Sequence, residues 1–421
     1  MPSANDRIFY ACQAVGFQVC ESAQAQLSAA GTALRPIDMA HGVQSVGITT
    51  NFNLEQAFEL GQIEIYENIE GTPDVECTME KVLDGYPLLY HMASSGVETT
   101  AASGLSARSK ARCDVRLGIF PEEFNNVAQG GTSADAEVYM SGMYISSISY
   151  SFPTDGSATE SITLVGNNKS WIDSNSSSVI EATSVGSVGA NAHDAFDGND
   201  EPFGLGSPTT PSGGIAQRED MMMNGSILPK SIRGVEGTGI FGNGDNSAVH
   251  LQSVSVSTDF SREEILELGA KTPYARPATF PIEVSCEIEA ITTSGDFVFA
   301  AEAGDASLNL SKSSGNNTGN EMIFFSTRNG YGFDLGLKNR LSSVSYGGGD
   351  AGGGNATCTY SYTNFNDLDV QDIKKGYIGP QALKGSGLTI SGVHYGFDRG
   401  GSGLVGDESP VLFADLMIGR G

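Results

Sequence analysis

Gln44–Gly61 reads QSVGITTNFNLEQAFELG, and 208 residues later Gln252–Gly269 reads QSVSVSTDFSREEILELG. Nine of the 18 positions are identical, and most others are conservative, such as Ile48 with Val256 and Phe58 with Leu266. Composition alone does not produce such a match, so the chain carries an internal duplication, the feature that decides an architecture before any other. Its fixed points are Gln44, Phe52, Glu55, Glu59 and Gly61, answered by Gln252, Phe260, Glu263, Glu267 and Gly269.

Three further blocks follow in the same order. Val75–Glu80 (VECTME) lies against Val284–Glu289 (VSCEIE), which makes Cys77 and Cys286 equivalent. Ile145–Tyr150 (ISSISY) answers Leu341–Tyr346 (LSSVSY), and a fainter block sets Gly31–Ile37 against Gly225–Ile232. The repeat divides the chain into a first β domain over residues 1–173 and a second over 220–421 that ends in a C-terminal arm. Between them, residues 174–219 are dense in Ser, Asn, Gly and Asp, the composition of a linker or surface insertion.

The repeated unit reads as β structure. Val46–Phe52 alternates apolar and small polar residues, the period of a half-buried strand. In the next strand Ile282, Val284, Cys286 and Ile288 share one face while Glu283, Ser285, Glu287 and Glu289 share the other. Val75, Cys77 and Met79 oppose Glu76, Thr78 and Glu80 in the same way. Ile145–Tyr150 leads to a turn at Pro153–Gly156, and Ser161–Val165 returns as its hairpin partner. Between the first two strands, Asn53 and Ser261 stand as helix N-caps, Ser261-x-x-Glu264 as a capping box, and Gly61 or Gly269 as the C-cap of a two-turn helix. The expected fold is mainly β: two tandem antiparallel sandwiches or barrels, each with one short α-helix.

Bulk properties narrow the function. The 421 residues include 54 glycines, 39% apolar and 17% charged residues, which suits short strands joined by tight turns. The formal charge of −27 argues against ordinary nucleic-acid binding, which requires Lys and Arg against phosphate. Proteins of saline environments are also acidic throughout, and the two explanations are compatible. No run reaches the roughly 20 apolar residues of a membrane helix, and the N-terminus lacks the basic start and apolar core of a signal peptide. Synthesis in the cytoplasm, with no membrane partner, is expected.

Chemistry is sparse. The six cysteines form no CxxC pair and read as buried thiols; the five histidines fall in no HExxH or HxH pattern. Two GxGxxG matches, Gly237–Gly242 and Gly401–Gly406, neither follow a clear strand nor open a helix. The acidic run Asp194–Glu201 departs from a calcium loop and reads as solvated. No catalytic residue, cofactor or metal site is expected, and the acid count alone is the case for a β-sandwich hydrolase.

The phrases Gln44–Glu55 with Phe58–Gly61, Tyr86–Tyr90 (YPLLY), Tyr150–Gly156 (YSFPTDG) and Glu160–Gly166 (ESITLVG) resemble bacteriophage tail-tube proteins and related virion components over about half of the chain. The resemblance implies rings whose inner sheets join into one β-barrel and stack into a tube that conducts DNA. It also implies a tail location in the virion, and tail sheath and baseplate proteins as partners. Family rings are usually six-fold from single-domain subunits, so a duplicated chain implies a trimer with pseudo-six-fold symmetry. The acidic strand positions Glu76, Glu80, Glu283, Glu287 and Glu289 are then candidates to line the lumen. Other virion parts (baseplate, sheath, capsid decoration) and the ring protein of a bacterial injection system are the alternatives.

Overall fold

The computed structural model describes residues 13–19, 38–61, 63–94, 105–119, 136–173, 215–222, 229–233, 249–292, 321, 323–327, 331–336, 338–349, 354–372, 389–390 and 393–394. Both GxGxxG matches and the acidic run Asp194–Glu201 lie outside them. So do residues 174–214 of the expected linker.

The strands come in two sets. The first comprises β1 (Gln13–Val19), β2 (Asp38–Met39), β3 (Val43–Asn51), β4 (Leu54–Phe58), β5 (Ile65–Glu70), β6 (Asp74–Val82), β7 (Cys113–Ile119), β8 (Ala136–Pro153), β9 (Thr159–Gly166) and β10 (Ser170–Asp173). The second comprises β11 (Met221–Met222), β12 (Val249–Asp259), β13 (Glu283–Thr292), β14 (Phe324–Thr327), β15 (Tyr331–Asp334), β16 (Arg340–Gly347), β17 (Thr357–Phe365) and β18 (Asp369–Asp372). All pairings among them are antiparallel.

The sequence repeat is also a repeat of pairing. The order β3-β6-β9-β8 in the first set recurs as β12-β13-β17-β16 in the second. Even the irregularities correspond. The register shift at Val43/Ser45 returns at Leu251/Ser253, and that at Ile145/Ser147 returns at Leu341/Ser343. A second layer repeats as well, with β1-β7-β8-β10 in the first set matched by β11-β14-β15-β18 in the second.

The 18-residue β8 belongs to both layers, its N-terminal half pairing with β7 and β10 and its C-terminal half with β9. It turns between them at Gly142, whose φ of +66° would strain any residue with a Cβ. The Gly142 N–H donates to Asp114 Oδ1 at 2.8 Å, and Tyr139 Oη donates to the other carboxylate oxygen at 2.9 Å. In the second set the same corner is opened at Gly336, φ +71°, so that β15 and β16 are separate strands.

One continuous core fills the space between the layers. Tyr150 and Phe152 of β8 pack edge-on against Phe333, and Phe325 stacks on Phe333 with centroids 4.9 Å apart, so the two sets share aromatic contacts. The helix Leu89–Ala93 closes the first set and is wholly buried. Its Leu89 and Tyr90 N–H groups donate to the buried Glu160 carboxylate at 2.7 and 3.1 Å, and Tyr150 Oη adds a third bond at 3.0 Å. Burial raises the Glu160 carboxyl above its ordinary range, and these donors pull it back. Ala216 tucks against the same region, its N–H donating to Leu83 O and its carbonyl accepting from Ala158. Cys77, Cys113, Cys286 and Cys358 are buried, and burial pushes the Cys77 and Cys286 thiols up to about 12.

The structure corrects one expectation. Residues 54–61 are not a helix: Leu54–Phe58 is β4, paired with β5 from Leu54↔Glu70 to Phe58↔Ile65. In the second set Arg262↔Ala278 and Ile265↔Ala275 bridge an equivalent arm. An N-cap residue is extended, whereas Asn53 and Ser261 take φ of +45° and +43°. Their N–H groups donate to the side chains of Asn51 and Asp259, turning the chain out of the sheet. Gly61 and Gly269 do have positive φ, at the tips of these arms. Among the described residues the α-helices are Leu89–Ala93, Leu105–Arg108 and Lys230–Arg233.

His91, on the buried helix, donates from Nε2 to Val370 O at 2.9 Å. Burial, with the Arg108 guanidinium nearby, lowers it from 6.5 to about 3. The folded state therefore holds this ring neutral while the unfolded chain protonates it below 6.5. The stability it contributes is present above 6.5 and is lost as pH falls towards 3, about 5 kcal/mol in all. Denaturant unfolding of His91→Gln between pH 7 and 4 is expected to show a clearly shallower loss of stability on acidification than the parent.

Candidate assembly interface

The two sets meet at a single strand pair. β12, the first strand of the second order, lies antiparallel on β8, the last strand of the first order, with Val254↔Phe152, Val256↔Tyr150 and Asp259↔Ser147 in register. The result is one eight-strand run, β16-β17-β13-β12-β8-β9-β6-β3. β3 corresponds to β12 and β16 corresponds to β8. The run therefore ends, on its two opposite edges, in the same two surfaces that meet at its centre.

Side-chain burial shows what each edge lacks. Phe260, just past β12, is fully buried, while its counterpart Phe52 is 60% exposed. Tyr150 of β8 is 1% exposed and its counterpart Tyr346 of β16 is 56% exposed. Val254 and Val256 are buried, whereas Val46 and Ile48 are only half-covered. Main-chain groups follow the same rule. The Phe260 N–H donates to Ser146 O at 2.8 Å, closing the end of the central joint. Beyond it the Arg262 guanidinium donates from Nε to Ile145 O at 2.8 Å and lies over the rings of Tyr144 and Phe260. Burial lowers Arg262 to about 10, still charged at neutral pH.

The arms carry much of the exposed apolar surface. Leu54, Phe58, Ile65, Tyr66 and Ile69 stand on the β4–β5 hairpin, and Ile265, Leu266, Leu268 and Tyr274 on the second arm. Glu55, Glu59, Glu263 and Glu267, the repeated acids, are on these arms too and face solvent. Gln44 and Gln252 sit at the equivalent register shifts near the start of their strands, and their side-chain amides donate to the carbonyls of Gly42 and of His250 and Leu251. The second arm is pinned to the first set by Arg276, which bonds Asn167 Oδ1 at 3.1 Å and pairs with Asp74 and Glu264.

The five candidate glutamates lie on one face of the run, in two rows separated by β12, β8 and β9. Glu76 and Glu80 of β6 and Glu283, Glu287 and Glu289 of β13 all project from the face opposite the core. Their cross-strand neighbours are Thr49 and Ser45 on β3, Val165 and Ser161 on β9, Ser255 and Ser253 on β12, and Phe365, Ser361 and Thr359 on β17. This face thus presents mostly short hydroxyl side chains, with Val165 and Phe365 beside Glu76 and Glu283, and two strands that bear carboxylates. Among the described residues there is no cluster of His, Cys, Asp and Glu able to hold a metal ion, and no helix long and apolar enough to cross a membrane.

Comparison with known proteins adds little. No family model matches, and no curated protein matches. Among solved structures, the tube-terminating cap of the anti-feeding prophage aligns with 41% of this chain and 100% of its own, at 15% identity and a TM-score of 0.27. The anti-feeding prophage baseplate structure matches at 9% identity, covering 40% and 97%, with a TM-score of 0.28. The sheath–tube complex of an extracellular contractile injection system matches at 11% identity, covering 40% and 94%, with a TM-score of 0.27. Scores this low carry no inference for this chain.

What sequence reasoning missed was the partner of each repeated residue. The identity of Phe52 and Phe260 was visible, but only the fold shows one buried in a joint and the other bare. Phe260→Ala is expected to destabilise the single chain by about 3–5 kcal/mol through a core cavity. Phe52→Ala is expected to stay within about 0.5 kcal/mol of the parent in the unassembled chain. Denaturant unfolding at low protein concentration distinguishes them.

Proposed function

We propose that this chain is a structural subunit of a phage-type tail tube, built from two fused copies of one β domain and closing into stacked rings. The observation that carries the reading is the pair of edges β3 and β16, which have no further strand beside them among the described residues and whose counterparts β12 and β8 are already joined inside the chain. A head-to-tail interface of this kind generates a ring when its rotation closes. Ring closure also uses every exposed strand edge, which is otherwise an aggregation hazard.

The sequence resemblance supplies six units per ring, hence three chains with pseudo-six-fold symmetry and a barrel of about 24 strands. The hydroxyl-and-carboxylate face is then the lumen, with Glu76, Glu80, Glu283, Glu287 and Glu289 repelling DNA that slides past. The apolar arms supply surface for contact between stacked rings, since patches of that kind on a lone chain mark an interaction site. Tail sheath and baseplate components are the partners expected outside the tube, and the chain has no catalytic role.

Purified protein is expected to form hollow cylinders under negative stain. Thr50→Pro removes one N–H directed outward from the β3 edge while leaving the β6 ladder, so it is expected to give folded chains and no cylinders. Cylinders from Thr50→Pro, or none from the parent, would count against the reading. In particles, lysine at the five glutamate positions is expected to permit tube assembly and to hinder DNA release; release at the parental rate would remove the lumen assignment.

A further inference from the structure

Resting on the ring reading, we infer that the central β8–β12 joint is a template for the contact between chains, and that it fixes that contact residue by residue. Carrying β12 onto β3 by the offset of 208, and β8 onto β16 by the offset of 196 set by the Ile145–Tyr150 and Leu341–Tyr346 blocks, gives one register. Ile48 of one chain lies opposite Tyr346 of the next, Thr49 opposite Ser345, Thr50 opposite Val344 and Asn51 opposite Ser343. The Phe52 N–H donates to Ser342 O of the neighbour, as Phe260 donates to Ser146 within the chain.

Three features of the edges fit this register, and the first of them excludes a slip by one residue. A slip by one residue would turn Ile48 and Val46 to the polar face and the threonine and serine positions to the core. The equivalent register shifts at Val43/Ser45 and Leu341/Ser343 keep both edge strands curved as their joined counterparts are. Gly347, Gly348 and Gly349 stand where Ser151, Phe152 and Pro153 stand in β8, so the end of the edge strand has no bulk to block an incoming partner.

The two joints are not chemically identical. Leu54 replaces Arg262 and Arg340 replaces Tyr144, so the cation of the central joint moves to the opposite strand in the outer one. Arg340 then approaches the Phe52 ring of the neighbour, keeping a cation beside an aromatic ring with the roles of the strands exchanged. This exchange makes the outer joint distinct from the inner one, which disfavours pairing of an edge with the wrong half of a neighbour.

The alternation of the ladder sets the test. Phe260 points its N–H at β8, so Ser257 opposite Ser149 is a non-hydrogen-bonded pair, and Thr49 opposite Ser345 inherits that geometry, in which side chains are closest. Thr49→Cys/Ser345→Cys chains, oxidised after assembly and run under denaturing, non-reducing conditions, are expected to form covalent multi-chain species. Mixing Thr49→Cys with Ser345→Cys chains is expected to give covalent dimers. Thr49→Cys/Ser343→Cys, displaced by two residues beyond disulfide reach, is expected to leave single chains. Rings that cross-link through the displaced pair alone would overturn the register and leave the ring reading standing. Chains of all variants and of the parent that never assemble would overturn both.

Discussion

A β-strand at the edge of a sheet carries a row of N–H and C=O groups at fixed spacing, and the rest of this molecule is arranged around where those rows are satisfied. Between β8 and β12 they are satisfied inside the chain, and Phe260, Tyr150, Val254 and Val256 are buried with them. At β3 and β16 the same residue positions recur with no further strand beside them among the described residues. In the proposed ring these two edges join between chains as β8 and β12 join at the centre.

Everything behind that sheet serves to hold it at one curvature. The corner at Gly142 lets one strand serve two layers, and Asp114 fixes the corner with two hydrogen bonds. The aromatic group Tyr150, Phe152, Phe325 and Phe333 spans the two sets, so the central joint is stabilised from the core side as well as along the ladder. Several buried polar groups are paired: Arg116 with Glu137, Lys81 with Asp84, Glu160 with two helix N–H groups. Removing one partner from such a pair strands the other in a medium of low polarity, which costs more than the pair contributes. These pairs specify the geometry more than they add stability.

Much of this was legible in the sequence because the duplication is recent enough to read and strand alternation is a short-range signal. Val75, Cys77 and Met79 against Glu76, Thr78 and Glu80 gave the faces of β6 correctly, and Pro153–Gly156 gave the β8–β9 hairpin. The arm was misread as a helix for a physical reason. Asn53 and Ser261 before the segment and Gly61 and Gly269 after it are residue types that cap helices, and the tertiary fact that overrules them, a partner strand at Ile65–Glu70, leaves no mark within the segment itself. The joint between the sets was illegible for a related reason: strands far apart in sequence pair through backbone groups common to every residue. Only burial, read at equivalent positions, reveals it.

The central claim is that each chain supplies two equivalent ring units, joined inside it as they are joined between chains. Counting chains in a single assembled ring, by high-resolution imaging of the tube, tests this most directly. The account predicts three full-length chains per ring, each contributing eight strands to one continuous inner barrel. Six full-length chains per ring, or rings joined through surfaces other than β3 and β16, would contradict it.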